Sequence, residues 1–172
     1  MYFRHAPEIW REFPQLVPGV LVVGGIDSQA DVAARLEPFY ARARARLGAG
    51  AESDLPEVAA WRRAYAQMGM KPTQYRSAAE ALLRRFRRED QLPQLHPLVD
   101  LCNAVSLAFA LPVAVFDLAR VAEYLEVRHA RGDELRELLP DRRRVAKVHC
   151  DLLAACQFRL DTVSITTSYL LS

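Results

Sequence analysis

The sequence predicts a mixed α+β fold: one domain, with helices packed on a mixed sheet. Three observations carry that expectation. Four segments repeat apolar residues at helical spacing. Short Val-rich runs bounded by Pro and Gly read as strands. The 172 residues, 51% of them hydrophobic, suffice for one domain with a real core. No internal repeat or low-complexity segment interrupts the chain.

The first element is "VPGVLVVGGID". Pro18 and Gly19 open an apolar run, Val20 to Val23, and Gly24 and Gly25 close it. A run this short reads as a buried strand. Its glycines lack the GxGxxG or GxxxxGK[ST] spacing of a phosphate loop. Next, "DSQADVAARLEPFYARARARLG" is helical. Val32, Leu36, Phe39, Ala43 and Leu47 share a face, with Asp27 or Ser28 as cap, and Pro38 predicts a kink or the true start. A loop follows, then a helix over "SDLPEVAAWRRAYAQMG". Pro56 suits its first turn, Val58, Trp61, Tyr65 and Met68 form its buried stripe, and Gly69 ends it.

In "YRSAAEALLRRFRRE", Ser77 and Glu80 make a capping box, so the helix starts at Ser77. Leu82, Leu83 and Phe86 point inward, while Arg84, Arg85, Arg87 and Arg88 point outward or sideways. "EDQLPQLHP" breaks the helix. "PLVDLCNAVSLAFALP" is the next one, with Leu98, Leu101, Cys102, Val105 and Phe109 toward the core. Asp100, Asn103 and Ser106 then fall together on a more polar side. "PVAVFDLARV" reads as a strand or a turn into one. In "EYLEVRHARGDE", Leu125 and Val127 alternate with Glu126 and Arg128, the pattern of a half-buried strand. "VSITTSYLL", rich in β-branched residues, fits a terminal strand.

Net charge is only +2, but its distribution is uneven. From Arg62 to Arg88 eight Lys or Arg face one acid, Glu80. Such a run is either a solvated face or a contact for phosphates, whose oxygens suit the guanidinium fork. The repulsion of Arg84 and Arg88 at i,i+4 costs a few tenths of a kcal/mol, too little to demand a ligand. No apolar run of about 18 residues predicts a membrane span, and "MYFRHAPEIWREF" lacks the apolar core of a signal peptide. Cys102, Cys150 and Cys156 are odd in number and without a CxxC pair, which fits a reducing cytoplasm. His149, Cys150 and Cys156 lack a fourth partner at zinc spacing, so neither metal nor cofactor is expected. His96 and His129 read as loop or surface residues, and Cys102 as a buried thiol. There is no G-x-S-x-G elbow and no ATP-site signature.

The ordered series V-D-L-x-N (99–103), L-P-V-x-x-x-D-L (111–118) and V-R-x-A-x-G-D-E (127–134), preceded by "WRRAYAQMGMKPTQYRSAAEALLRRF", resembles the B3/B4 domain. That domain is the tRNA-editing module of the bacterial phenylalanyl-tRNA synthetase beta subunit. The likeness covers roughly residues 14–140 and is greater still to free-standing B3/B4 proteins. It implies a module that inspects the aminoacyl end of a charged tRNA, the partner expected here in place of DNA or membrane. In the synthetase it removes tyrosine from the phenylalanine tRNA, a discrimination one pocket cannot reach alone.

By the same resemblance Arg76, Arg84, Arg85 and Arg88 become tRNA contacts. Asp100, Asn103, Ser106, Ala114 and Asp117 become the pocket, where Asn103 would hydrogen bond the terminal ribose or aminoacyl group. Ala114 stands where synthetase copies often carry a histidine linked to editing. No Gly-Gly-Glu stretch follows Arg128. The expected activity is recognition of aminoacylated tRNA, with hydrolysis of a mischarged ester by residues left unassigned. The alternative is a non-catalytic small-molecule or protein-interaction module on the same fold. Residues 1–140 then form the B3/B4-like domain. Residues 141–172 match none of the family's closing strands, which leaves divergence, a truncated or frame-shifted product, or an unrelated C-terminus. Oligomeric state has no signature in the sequence.

Overall fold

The computed structural model describes residues 2–121 and 123–129, and 162–170 as backbone. His149, Cys150 and Cys156, and the G-D-E stretch at 132–134, lie outside the described residues. The chain runs β1 (Tyr2–His5), α1 (Pro7–Glu12), β2 (Leu16–Gly24), α2 (Ala33–Gly48), a 3-10 turn (Glu52–Asp54), α3 (Pro56–Gln67), α4 (Ala78–Glu89) and α5 (Pro97–Phe109). It continues through β3 (Val113–Asp117), a second 3-10 turn (Leu118–Arg120), β4 (Tyr124–Val127) and β5 (Thr162–Leu170). The fold is mixed α+β. Parallel and antiparallel pairing both occur, in separate sheets: β1 lies parallel to β4, and β5 sits antiparallel between β2 and β3. Among the described residues no helix is long and apolar enough to cross a membrane.

The reading of "VSITTSYLL" as a strand holds. Its register runs from Leu16 opposite Leu170 to Gly24 opposite Thr162, and on its other side from Val113 opposite Thr167 to Asp117 opposite Val163. The buried-strand expectation for Val20 to Val23 fails. Among the described residues β2 is an edge of its sheet, and Val20, Leu21 and Val22 are 47%, 56% and 62% exposed. An apolar run of this length does not distinguish a strand covered on both faces from one at an edge. The strand also starts earlier, at Leu16, and passes through Pro18, which an edge tolerates because its missing N–H can face outward.

The main core joins four helices. Ala43 and Leu47 of α2, Val58 of α3, Leu83 and Phe86 of α4, and Leu107 of α5 pack together with Leu92 and Ala110. A second cluster sets Ala6, Ile9, Phe13 and Leu16 against Ala60 and Ala64 of α3. Small alanines, not Tyr65 and Met68, thus form much of the buried face of α3, because the N-terminal β1–α1 unit lies close against it. Met68 is exposed and caps the helix end, and Gly69 takes the left-handed φ of +74° that lets the chain turn away.

Helix α2 does not begin at Asp27 or Ser28. Asp27 instead accepts from the Gln29 N–H, and Asp31 accepts from the Ala33 N–H at 2.9 Å, at the true start. Pro38 lies inside the helix. The alternating arginines of "ARARAR" have a structural use. Arg42 and Arg46 both donate to the Ala108 carbonyl near the end of α5, and Arg44 binds Asp90, the left-handed cap of α4. Cations at helix C-termini complement the macrodipole.

Helix α5 is rotated from its expected phase. Its buried residues are Val99, Asp100, Cys102, Asn103, Ala104, Ser106, Leu107 and Ala108, whereas Phe109 is 38% exposed and Leu98, Leu101 and Val105 are half-buried. The helix is apolar nearly all round, so periodicity alone leaves its phase undetermined. It packs against α2 and α4 and also β3, which turns the supposed polar side inward.

The two faces of α4 should separate in equilibrium unfolding by urea. Phe86→Ala, at a side chain 1% exposed, is expected to cost about 3–5 kcal/mol. Arg88→Ala, two positions on, should stay within about 0.5 kcal/mol.

Candidate nucleic-acid interface

Helix α4 starts where predicted. Ser77 is its N-cap, and its hydroxyl accepts from the Glu80 N–H at 3.2 Å. The reciprocal half of the capping box is not made, because the Glu80 carboxylate is claimed elsewhere. Arg62 of α3 grips it with both arms, Nη2 to Oε1 at 2.6 Å and Nε to Oε2 at 3.2 Å. Glu80 is 1% exposed, so this is a buried charge held by a bidentate partner. The hydrogen bond to Glu80 is also the largest cause raising the Arg62 pKa.

With Glu80 occupied by Arg62, five other arginines gather on α4 and the turn before it. Arg76, Arg84, Arg85, Arg87 and Arg88 line one open depression of about 310 Å³, together with Ala81 and Glu52. Ala81, Arg84, Arg85 and Arg88 share a face by their spacing of three and four. Arg76 comes from the turn before α4. It donates to the Thr73 carbonyl at 2.9 Å, and its Nε lies 3.5 Å from Glu80 Oε1, buried and without a hydrogen-bond partner. Arg85 pairs with Glu89 one turn on at 2.8 Å, and Arg88, its side chain 75% exposed, reaches Glu89 only at 3.8 Å. Arg84 and Arg87 each meet a different oxygen of Glu52, at 3.4 and 3.1 Å. Sequence reasoning missed Glu52 and gave Arg87 no role. Glu52 lies far from α4 along the chain, and no local pattern joins them.

The second group of candidates lies on α5 and β3. Asp100 Oδ1 accepts from the Leu95 N–H at 2.9 Å and so closes the loop that enters α5. Ser106 donates to the Leu111 carbonyl at 2.6 Å, tying the end of α5 to the turn toward β3. Asp117 accepts from the Ala119 N–H and caps the following 3-10 turn. Ala114 sits half-buried on β3, opposite Thr166. Asn103 differs from the rest. It is 8% exposed, and its amide makes no hydrogen bond among the described residues.

His96 is the N-cap of α5, accepting at Nδ1 from the Leu98 N–H at 3.2 Å, a role that reading it as a loop residue overlooked. His129 meets Glu12 at 2.8 Å on the surface. Cys102 is buried as expected, and burial pushes its thiol up to about 11. That holds it as a thiol at neutral pH, the opposite of what a nucleophile needs.

The family model for the B3/4 domain matches residues 60–158, from within α3 past β4. This chain belongs to the B3/4 domain family. It is also similar to the phenylalanine–tRNA ligase beta subunit of Coxiella burnetii (strain RSA 493 / Nine Mile phase I), 42% identical over 57 residues. That stretch is 33% of this chain and 7% of the ligase subunit, so the B3/4 chain spans a small fraction of its relative. No solved structure matches. The relationship is to a tRNA-ligase subunit, and the matched region carries the arginines of α4 together with Asp100, Asn103 and Asp117.

Two outcomes test this geometry. Removing the buried carboxylate with Glu80→Ala leaves Arg62 without its partner, and is expected to cost about 1–3 kcal/mol in urea unfolding. Alkylation of Cys102 by iodoacetamide, followed by peptide mass mapping, should rise through a pH near 11 in the folded protein. In denaturant it should rise through the ordinary thiol range, about 8.5.

Proposed function

We propose that this B3/4 domain binds transfer RNA through the arginine-lined depression and inspects the aminoacylated 3′ end at the α5–β3 region. The observation that carries the reading is the gathering of five arginines around one open depression. Guanidinium groups at that density suit the closely spaced charges of a nucleic-acid backbone, and the contacts they make are sequence-independent and salt-sensitive. Kinship with a tRNA-ligase subunit supports RNA as the polyanion. On this reading the protein works in the cytoplasm, where charged tRNA is met.

Of the five residues expected to form the aminoacyl pocket, Asn103 would be the one with free hydrogen-bonding capacity. Its amide keeps two donors and an acceptor for a ribose hydroxyl or an aminoacyl group. Hydrolysis in trans of a mismatched aminoacyl ester is the finer form of the proposal. Water adds to the ester carbonyl, the ribose oxygen departs with a proton, and the free amino acid is released. Ala114 offers no base, Asp100, Ser106 and Asp117 are already hydrogen bonded, and Cys102 is held as a thiol. Positioned water, backbone donors and the tRNA's own hydroxyls therefore supply the chemistry. The same engaged side chains favour a second reading, a module on this fold that binds a small molecule or protein without catalysis.

Retention of tRNA against salt concentration separates the readings. The parent protein should lose affinity steeply between 50 and 200 mM salt, as expected when several phosphates are neutralised. Arg84→Ala, Arg85→Ala and Arg88→Ala combined should weaken binding at low salt by about tenfold or more, and flatten the salt slope by roughly two to three. Unchanged affinity in that variant removes the depression from the interface. Deacylation of a panel of mischarged tRNAs decides between hydrolysis and binding alone.

A further inference from the structure

The arginine depression contains an acid of the protein's own. Glu52 lines it, 12% exposed, and its two carboxylate oxygens face Arg84 at 3.4 Å and Arg87 at 3.1 Å. Its charge also reaches Arg62, among the causes that raise the Arg62 pKa. A carboxylate and a phosphate present the same thing to a guanidinium: oxygens that share negative charge. We propose that Glu52 occupies the place of a phosphate in the free protein and acts as an internal competitor that sets the affinity of the depression for phosphate-bearing ligands. The identity of the natural ligand, an RNA backbone, rests on the reading above; the competition does not.

The contrast with Glu80 shows why Glu52 can give way. Glu80 is held at 2.6 Å by a two-armed partner and is 1% exposed. Both contacts of Glu52 exceed the roughly 2.7–2.9 Å of a charge-assisted hydrogen bond, and each arginine offers a single arm. Nor does Glu52 maintain the turn that carries it. Asp54 does that, accepting from the Ala51 N–H at 3.0 Å. Arg87 has a second anchor in the Gly50 carbonyl, so it stays in place when the carboxylate leaves. The Glu52 side chain can therefore swing out while its turn and Arg87 remain.

Glu52→Gln keeps the shape and removes the charge. Calorimetric titration at low salt, with inorganic tripolyphosphate in one arm and a single-stranded oligoribonucleotide in the other, should show binding tightened about tenfold over the parent. Arg87→Ala added to Glu52→Gln should cancel the gain. A gain with the oligoribonucleotide alone assigns the competition to the RNA backbone, and a gain with tripolyphosphate alone assigns it to free polyphosphate. Affinity equal to or below the parent's in both arms overturns the proposal. Circular dichroism checks the fold. Should Glu52→Gln unfold, Arg87→Ala alone serves instead. It must weaken tripolyphosphate binding, and if it does not, the proposal falls. A triple arginine variant that keeps its tRNA affinity would refute the tRNA reading while leaving a tripolyphosphate gain in Glu52→Gln standing, so the two failures are told apart.

Discussion

The ion pair between Glu80 and Arg62 is the constraint on which the interface depends. It joins α3 to the first turn of α4 at a carboxylate that is 1% exposed. A buried charge is tolerated only with a well-formed partner, so the pair sets how the two helices meet. It also commits the two groups to each other and keeps the Glu80 carboxylate away from solvent. Because the one acid within the basic stretch is consumed inside the protein, the arginines on the outer face of α4 keep their charge for the surface. Glu52 within the depression, and Glu89 one turn beyond Arg85, then temper that charge.

Arginine serves two unlike purposes in this chain. In α2, Arg42, Arg44 and Arg46 close the C-terminal ends of α5 and α4 by binding Ala108 and Asp90, and Arg42 also stacks 4.5 Å above the Phe109 ring. In α4 the same residue type faces solvent around a depression. What separates the two is the neighbour each meets, a helix end in one case and acids beside an open depression in the other. Composition shows neither.

What could be read in the sequence was local. The N-cap at Ser77, the inward set Leu83 and Phe86, the stop at Gly69 and the strand at 162–170 follow from residues a few positions apart. The four arginines picked from the sequence come together because three of them share one helix face and Arg76 precedes it. Features that depend on distant partners were not legible. The phase of α5 is set by α2, α4 and β3 packing around a helix with little polar contrast. The exposure of Val20 to Val22 is set by the place of β2 at a sheet edge. Glu52 joins the site only because a turn before α3 lies against α4. The N-terminal β1–α1 unit carried no strong periodicity, yet it packs on Ala60 and Ala64 and so displaces Tyr65 and Met68 from the buried face.

The placement of β5 between β2 and β3 has a consequence for how the molecule comes into being. Both neighbours leave the ribosome long before their shared partner is made, and β2 waits longest, its apolar residues unpaired through most of synthesis. Pairings between such remote parts of a chain form slowly, because a large loop must close before any ladder bond is gained. The helical core, built from nearer neighbours, can condense first. Until the middle strand arrives, the nascent chain carries two open ladders, and a chaperone or a second nascent chain would find them there.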